Sequence, residues 1–277
     1  MDIIVFNPKS RNGDSKKFIE HIKKSLKKRH HAVVVKNILD IDDVDAFLGG
    51  LHDDDRIIII GGDGTIHRMV NTLDLSSIKQ QVLMVRGGTG NDFLRSLNQK
   101  TTLISIKDHL RQLPKVDVKG HTYNFINGVG LGLDGRVGYD IEHGGKKKTK
   151  LSFFAATLKA FKDHQPNQMT FQFMNQTRTY ERVWMASVMY GSTFGGGMKI
   201  APKANRGDRL HVVIIKDCPK WLLFFIFPLI YIGKHVWFKS YVEIIETQDV
   251  HIQSSVELHG EVDGELLKHI TKMHMKR

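Results

Sequence analysis

Four consecutive isoleucines, Ile57 to Ile60, run directly into Gly61-Gly62-Asp63-Gly64-Thr65, and no other stretch of the 277-residue chain restricts the fold as tightly. A strand that is apolar at every position must be covered on both faces, as the inner strands of a parallel sheet are. Parallel neighbours need crossover connections, usually helical, so the run predicts βα units around it. The flanking sequence supplies them. Ile3 to Phe6 is a short apolar run ended by Asn7-Pro8. A helix capped by Asp14 or Ser15 would carry Phe18, Ile19, Ile22 and Leu26 on one face and lysines on the other. Ala32 to Val35 reads as a strand, and Val44, Phe47 and Leu48 suit a short helix stopped by Gly49-Gly50. Beyond the glycine turn, Ile66, Met69, Val70 and Leu73 share a helical face, and Val82 to Val85 is another buried strand. The expectation for residues 1–114 is an α/β domain with a doubly wound, mostly parallel sheet.

The pattern changes after residue 114. Lys115 to Val118, Thr122 to Asn127, Met169 to Met174, Thr179 to Met189, Arg209 to Lys216 and several runs after Tyr241 read as strands with few helices between them. Val250-His251-Ile252-Gln253 alternates cleanly, as a half-exposed antiparallel strand does. Two helices interrupt, Leu151 to His164 and Trp221 to Phe238. Residues 115–277 are therefore expected to form a mainly antiparallel β-sandwich, with the last residues free to return to the first domain. A cleft between two such domains is the natural place for an active site.

Three loops follow predicted parallel strands, and the carboxyl ends of such strands share one edge of a sheet. In Gly61 to Thr65 the glycines let backbone approach a phosphate, and the amides that open the next helix point at it. Asp63 cannot favour a bare phosphate; it suits a magnesium ion, a bridging water or a ribose, unless the segment is a simple strand-to-helix turn. In Arg86-Gly87-Gly88-Thr89-Gly90-Asn91-Asp92-Phe93, Gly88 adds backbone, Thr89 a hydroxyl and Asn91 an amide, while Asp92 could cap the following helix or hold the loop. After the first strand, Asn7, Ser10 and Asn12 contribute side chains and amides to the same edge.

GGDGT with GTGNDF and an opening NPKS resembles the catalytic domain of the diacylglycerol kinase family, which includes bacterial lipid kinases and sphingosine kinases. Lys115-Val116-Asp117-Val118, Asn124-Phe125-Ile126-Asn127 and Glu261-Val262-Asp263-Gly264-Glu265 resemble later motifs, so the likeness extends along nearly the whole chain. The resemblance implies an ATP-dependent lipid kinase that phosphorylates a hydroxyl of diacylglycerol or a related lipid. It implies an ATP site made of Asn7, Ser10, Gly61 to Thr65 and Thr89. It implies that Glu265, within Asp263-Gly264-Glu265, takes the proton from the acceptor. A structural Mg²⁺ would be held by the Asp208 side chain and the carbonyls of Asn205 and Leu210. After GGDGT, His67 and Arg68 stand where the family has asparagine and glutamate, and Arg11 stands where glycine is common.

The formal charge of +12 favours anionic partners. One cysteine, Cys218, excludes internal disulfides and cysteine-based zinc sites. Met1 to Phe6 reads as a strand rather than the start of a signal peptide. Trp221 to Gly233 is apolar but short of the roughly 20 residues of a spanning helix, leaving a core helix or one lying at a membrane surface. Together with Lys146-Lys147-Lys148-Thr149-Lys150, it is expected to dock the chain on anionic membrane. That implies a cytoplasmic protein associated with the inner membrane face. Gly130 to Val137 fits a glycine-loop spacing without the context such motifs need, and reads as a flexible loop near the lipid entrance. The 15 histidines show no zinc motif. No nucleic-acid module is present, and an edge strand could pair two chains as a homodimer. Two rivals are a kinase of a soluble nucleotide such as NAD, since GGDGT also occurs there, and a non-catalytic nucleotide or lipid sensor.

Overall fold

The structure, a computed structural model, describes residues 1–8, 16–28, 32–41, 44–73, 78–86, 91–99, 101–143 and 159–277. It divides into two compact units, Met1–Gln112 and Leu113–Arg277.

The first unit is a five-stranded sheet of β1 (Asp2–Phe6), β2 (Val33–Asn37), β3 (Arg56–Gly61), β4 (Gln81–Arg86) and β5 (Leu103–Ser105), in the order β2-β1-β3-β4-β5. The first four are parallel, and β5 runs antiparallel to β4. Helix α1 (Lys16–Lys27) buries Ile19, Ile22 and Leu26 against Ile4, Ile58 and Ile60. The other parity, Ile57 and Ile59, is equally buried, on the side shared with α2 (Val44–Gly49) and α3 (Asp63–Thr72). Double coverage is the physical reason for the unbroken isoleucines. At the opening ends of β1 and β3, Arg56 grips the fully buried Asp2 with two bonds of 2.7 and 2.8 Å.

The second unit carries β6 (Lys115–Val118), β7 (His121–Asn124), β8 (Gly128–Gly132), β9 (Asn167–Phe173), β10 (Gln176–Met189), β11 (Leu210–Lys216), β12 (Val242–Thr247), β13 (Asp249–Val262) and β14 (Glu265–Lys276). All pairings are antiparallel, in the order β12-β11-β10-β8-β13-β14-β6-β7, with β9 also bridging β10 and β13. The sandwich is thus one continuous ladder folded on itself. Val116 and Val118 of β6 meet Leu210, Val212 and Ile214 of β11 in one core. The alternate residues of β11, Val213 and Ile215, face outward to a second core under α6 (Lys220–Tyr231). The last residues, as β14, belong to this sheet.

Several expectations need correction. Gly130 to Val137 is no flexible loop: it is the end of buried strand β8 and the start of α5 (Leu133–His143). Its glycines permit close packing rather than mobility. A Cβ on Gly135 would lie 2.1 Å from the His259 carbonyl oxygen, so only glycine lets α5 meet β13. The strand expected over Thr122 to Asn127 stops at Asn124, because the next amides turn inward to other partners. The helix expected to reach Phe238 stops at Tyr231; Gly233, at φ 73°, turns the chain into a 3-10 turn at His235–Trp237. Of the helix expected over Leu151 to His164, residues 159–163 are helical and 151–158 lie outside the described residues, as does the Lys146 to Lys150 tract.

Candidate active site

In the first unit, β1, β3 and β4 are neighbours in register, Phe6 beside Ile60 and Gly61 beside Arg86. The segments after these three strands therefore emerge on one edge. Gly61 closes β3, and Gly62 is the extended N-cap of α3. Asp63 and the exposed Gly64 open that helix, whose first amides lack intrahelical acceptors. The Asn7 amide donates to the buried Thr65 hydroxyl at 3.4 Å, tying the first loop to the glycine turn.

Asp63 accepts hydrogen bonds from the backbone amides of Asp92 (3.0 Å) and Phe93 (2.8 Å). The aspartate of GGDGT thus latches the start of α4 (Asp92–Ser96), which a simple turn would not require. Asn91, left-handed at φ 51°, is the N-cap of α4; Asp92 is buried and sits 3.8 Å from Arg95. Ser10, Asn12, Gly88 and Thr89 lie outside the described residues. His67 is buried in α3 beside Asn71, and Arg68 borders an apolar recess with Val5, Ile57 and Met69 that does not include the glycine turn. His67 therefore belongs to the packing of α3, whereas Arg68 is exposed at the edge of that recess.

In the second unit, Asp263-Gly264 is the two-residue turn between β13 and β14, closed by the pair Val262 and Glu265. Both turn residues have positive φ, 50° and 89°, the I′ geometry that Asp-Gly favours. The Asp263 carboxylate is buried and accepts from the amides of Ile126 (2.6 Å), Asn127 (2.7 Å) and Gly128 (3.1 Å). It anchors the turn to the Ile126 to Gly128 backbone. Glu265 is exposed, and its carboxylate has no partner among the described residues. Arg206 completes the support, donating to the Ile126 carbonyl and to Asn127 Oδ1 at 2.7 Å while covering the Tyr190 ring. Sequence reasoning missed Asn127 and Arg206 as supports; the Asp-Gly hairpin signal would have located the turn they brace.

Asp208 is exposed on the loop before β11, and the Asn205 side chain closes that loop by accepting from the Gly207 amide at 3.2 Å. With the carbonyls of Asn205 and Leu210 this is an all-oxygen donor set, suited to magnesium, with a single anionic ligand. Asp249, His251 and His274 also lie close together. The two imidazoles are stacked at 3.7 Å and 6°, so their in-plane lone pairs do not converge, and His274 faces Asp249 on one nitrogen and Asp117 on the other. That group is a cross-strand ladder of imidazole–carboxylate contacts.

A small apolar recess of about 20 Å³ lies under α6, lined by Val137, Met185, Ile215, Leu223 and Phe227. Among the described residues its one ionisable lining group is Asp134 of α5, hydrogen-bonded to Ser187 of β10; burial pushes Asp134 up to about 6. Against the Trp184 ring, burial pushes His164 down to about 4.

Residues 3–120 match the diacylglycerol kinase catalytic domain, and residues 127–275 match the YegS C-terminal NAD kinase beta sandwich-like domain. A Bacillus subtilis protein named "Putative lipid kinase YtlR" is 29% identical over 232 residues, covering 76% of this chain and 74% of that protein. A Staphylococcus aureus protein named "Putative lipid kinase SAS0691" is 29% identical over 152 residues, 53% of this chain and 49% of that protein. A crystal structure titled as a putative diacylglycerol kinase from Bacillus anthracis str. Sterne superposes with a TM-score of 0.71 at 20% identity, covering 99% of this chain and 91% of that one. This last likeness is one of fold.

Proposed function

We propose, from the premise that this chain belongs to the diacylglycerol kinase catalytic-domain family, that it transfers the γ-phosphate of ATP to a hydroxyl of diacylglycerol or a related lipid. Phosphoryl transfer asks a protein mainly for positioning and charge neutralisation around a loose transition state. The edge formed by Asn7, the Gly61 to Thr65 turn and the latched start of α4 supports a triphosphate site, since the amides that open a helix favour phosphate. Ser10, Asn12, Gly88, Thr89, Asn91 and Asp92 are assigned to the same site on the motif match.

Glu265 is the base for the acceptor hydroxyl. The observation that carries this role is the division of labour in the turn: Asp263 is saturated by three amides, while Glu265, two residues on, is left exposed and unpartnered among the described residues. A fixed backbone with an accessible carboxylate is what a general base needs. Magnesium would accompany ATP and neutralise developing charge; Asp208 with the carbonyls of Asn205 and Leu210 would hold a structural Mg²⁺. A lipid acceptor implies peripheral contact with anionic membrane.

The test is an acceptor panel: labelled ATP and Mg²⁺ with diacylglycerol, mixed lipid extract, or NAD. Label in the organic phase is expected. Label on NAD alone would establish the soluble-substrate reading, and ATP binding without any labelled product the sensor reading.

A further inference from the structure

Helix α6 has two apolar faces, and only one is used. Leu223, Ile226, Phe227 and Ile230 are buried in the second core. On the opposite stripe Trp221, Phe224, Phe225 and Ile232 are 67%, 52%, 62% and 56% exposed, and Trp237 just beyond is 67% exposed. Positions 221, 224, 225 and 232 keep helical spacing, so they form one surface. The rings also touch: Trp221 meets Phe225 at 6.4 Å and Phe224 meets Phe225 at 6.1 Å, both edge to face. A contiguous aromatic patch of this kind marks an interaction site.

The rim specifies the partner. Lys199, Lys220, Lys234 and Lys239 are exposed around the patch, and the sequence has no acidic residue between Asp217 and Glu243. Lys199 is at the far end of the helix, its amide bonded to the Ile230 carbonyl. Lys234 lies 4.8 Å above the Trp237 ring. A second copy of the chain would bring two such lysine rims together, whereas an anionic bilayer satisfies both the charge and the aromatics. Tryptophans at both ends of the patch suit the headgroup boundary, where an indole is half in apolar surroundings and half in water. The helix has 12 residues, and no described helix is long and apolar enough to cross a membrane, so it would lie in the plane of the interface.

We infer that the outer face of α6, with Trp237, inserts into the headgroup region of an anionic lipid bilayer and holds the second unit there. The inner face of the same helix is packed into the second core, so docking would fix that core and its sheet against the bilayer. The surface deepens the lipid-kinase reading and rests on it for its purpose, but binding can be measured without turnover.

Vesicles of phosphatidylcholine, alone or mixed equally with phosphatidylglycerol, are co-sedimented with the full chain. Three variants are compared: Phe224→Ser with Phe225→Ser, Lys234→Glu with Lys239→Glu, and Trp237→Phe. Native chain should bind the mixed vesicles, with a tryptophan blue shift that shrinks in Trp237→Phe. The double serine variant should bind at least about tenfold more weakly. The double glutamate variant, which keeps the core intact, should lose the preference for phosphatidylglycerol. Native-like binding by both double variants overturns the inference. So does a native dimer that the serine variant dissociates without loss of vesicle binding. Vesicle binding through α6 with no lipid phosphorylated supports this surface and sinks the kinase reading; phosphorylation of a short-chain soluble acceptor by a chain that ignores vesicles does the reverse.

Discussion

Replacing Asp263 by asparagine and by alanine should separate its anchoring role from chemistry at Glu265. The native carboxylate accepts three buried backbone hydrogen bonds, at 2.6, 2.7 and 3.1 Å. Bonds to a charged acceptor contribute about 1.5 kcal/mol or more each, and orphaned amides add their desolvation, so alanine should destabilise the second unit by roughly 4 kcal/mol. Alanine also resists the φ of 50° at this position, adding about 1 kcal/mol that asparagine largely avoids. Asparagine keeps one oxygen but turns an NH₂ toward an N–H, so about 2 kcal/mol is expected, a Tm fall of roughly 4–8 °C for a unit of this size. All three tryptophans, Trp184, Trp221 and Trp237, lie in the second unit, so urea unfolding followed by tryptophan emission reports on that unit. Losses below about 1 kcal/mol for both variants would refute the three-bond anchor.

Gly135→Ala should destabilise the same unit by at least about 3 kcal/mol, since its Cβ would collide with backbone rather than a movable side chain; thermal unfolding tests it. Asp63→Ala should unlatch α4 and raise the KM for ATP at least about tenfold while leaving tryptophan-detected unfolding unchanged; an unaltered KM would mean that the latch does not shape the site. The pH dependence holds two opposed contributions. Asp134, raised to about 6 from 3.8, favours folding at low pH, and that stability is lost as pH rises from about 4 through 6. His164, lowered to about 4 from 6.5, contributes stability above pH 6.5 that is lost as pH falls toward 4. The native profile should be nearly flat in this window. Asp134→Asn should instead gain stability, by up to about 3 kcal/mol, between pH 4 and 6.5; a variant as flat as the native chain would contradict the assignment.

The α/β unit was readable because its signals are local: four isoleucines buried on both faces, and glycines where strands end. The antiparallel unit was readable in its strands, since Val250 and Ile252 point in while His251 and Gln253 point out. Errors came where residue type and packing diverge. Glycines at 130, 132 and 135 look like a loop but lie in a buried strand and at a helix–strand crossing. A three-residue strand such as β5 carries too little periodicity to stand out. Asp263 and Glu265 look alike in sequence as acids flanking a glycine, yet the I′ turn puts one inside and one outside. The two faces of α6 are equally apolar, so only packing on β10 and β11 distinguishes them.

Glu265→Gln, which keeps the size and hydrogen-bonding of the side chain but cannot take a proton, is the most direct probe of the proposed chemistry. Nucleotide affinity by calorimetry and lipid labelling from γ-labelled ATP are measured on the same preparation. Unchanged ATP binding with lipid phosphorylation reduced at least about a hundredfold is the predicted result. Labelling near the native rate would contradict Glu265 as the base, and absence of labelled lipid from the native chain across all acceptors would contradict the kinase itself.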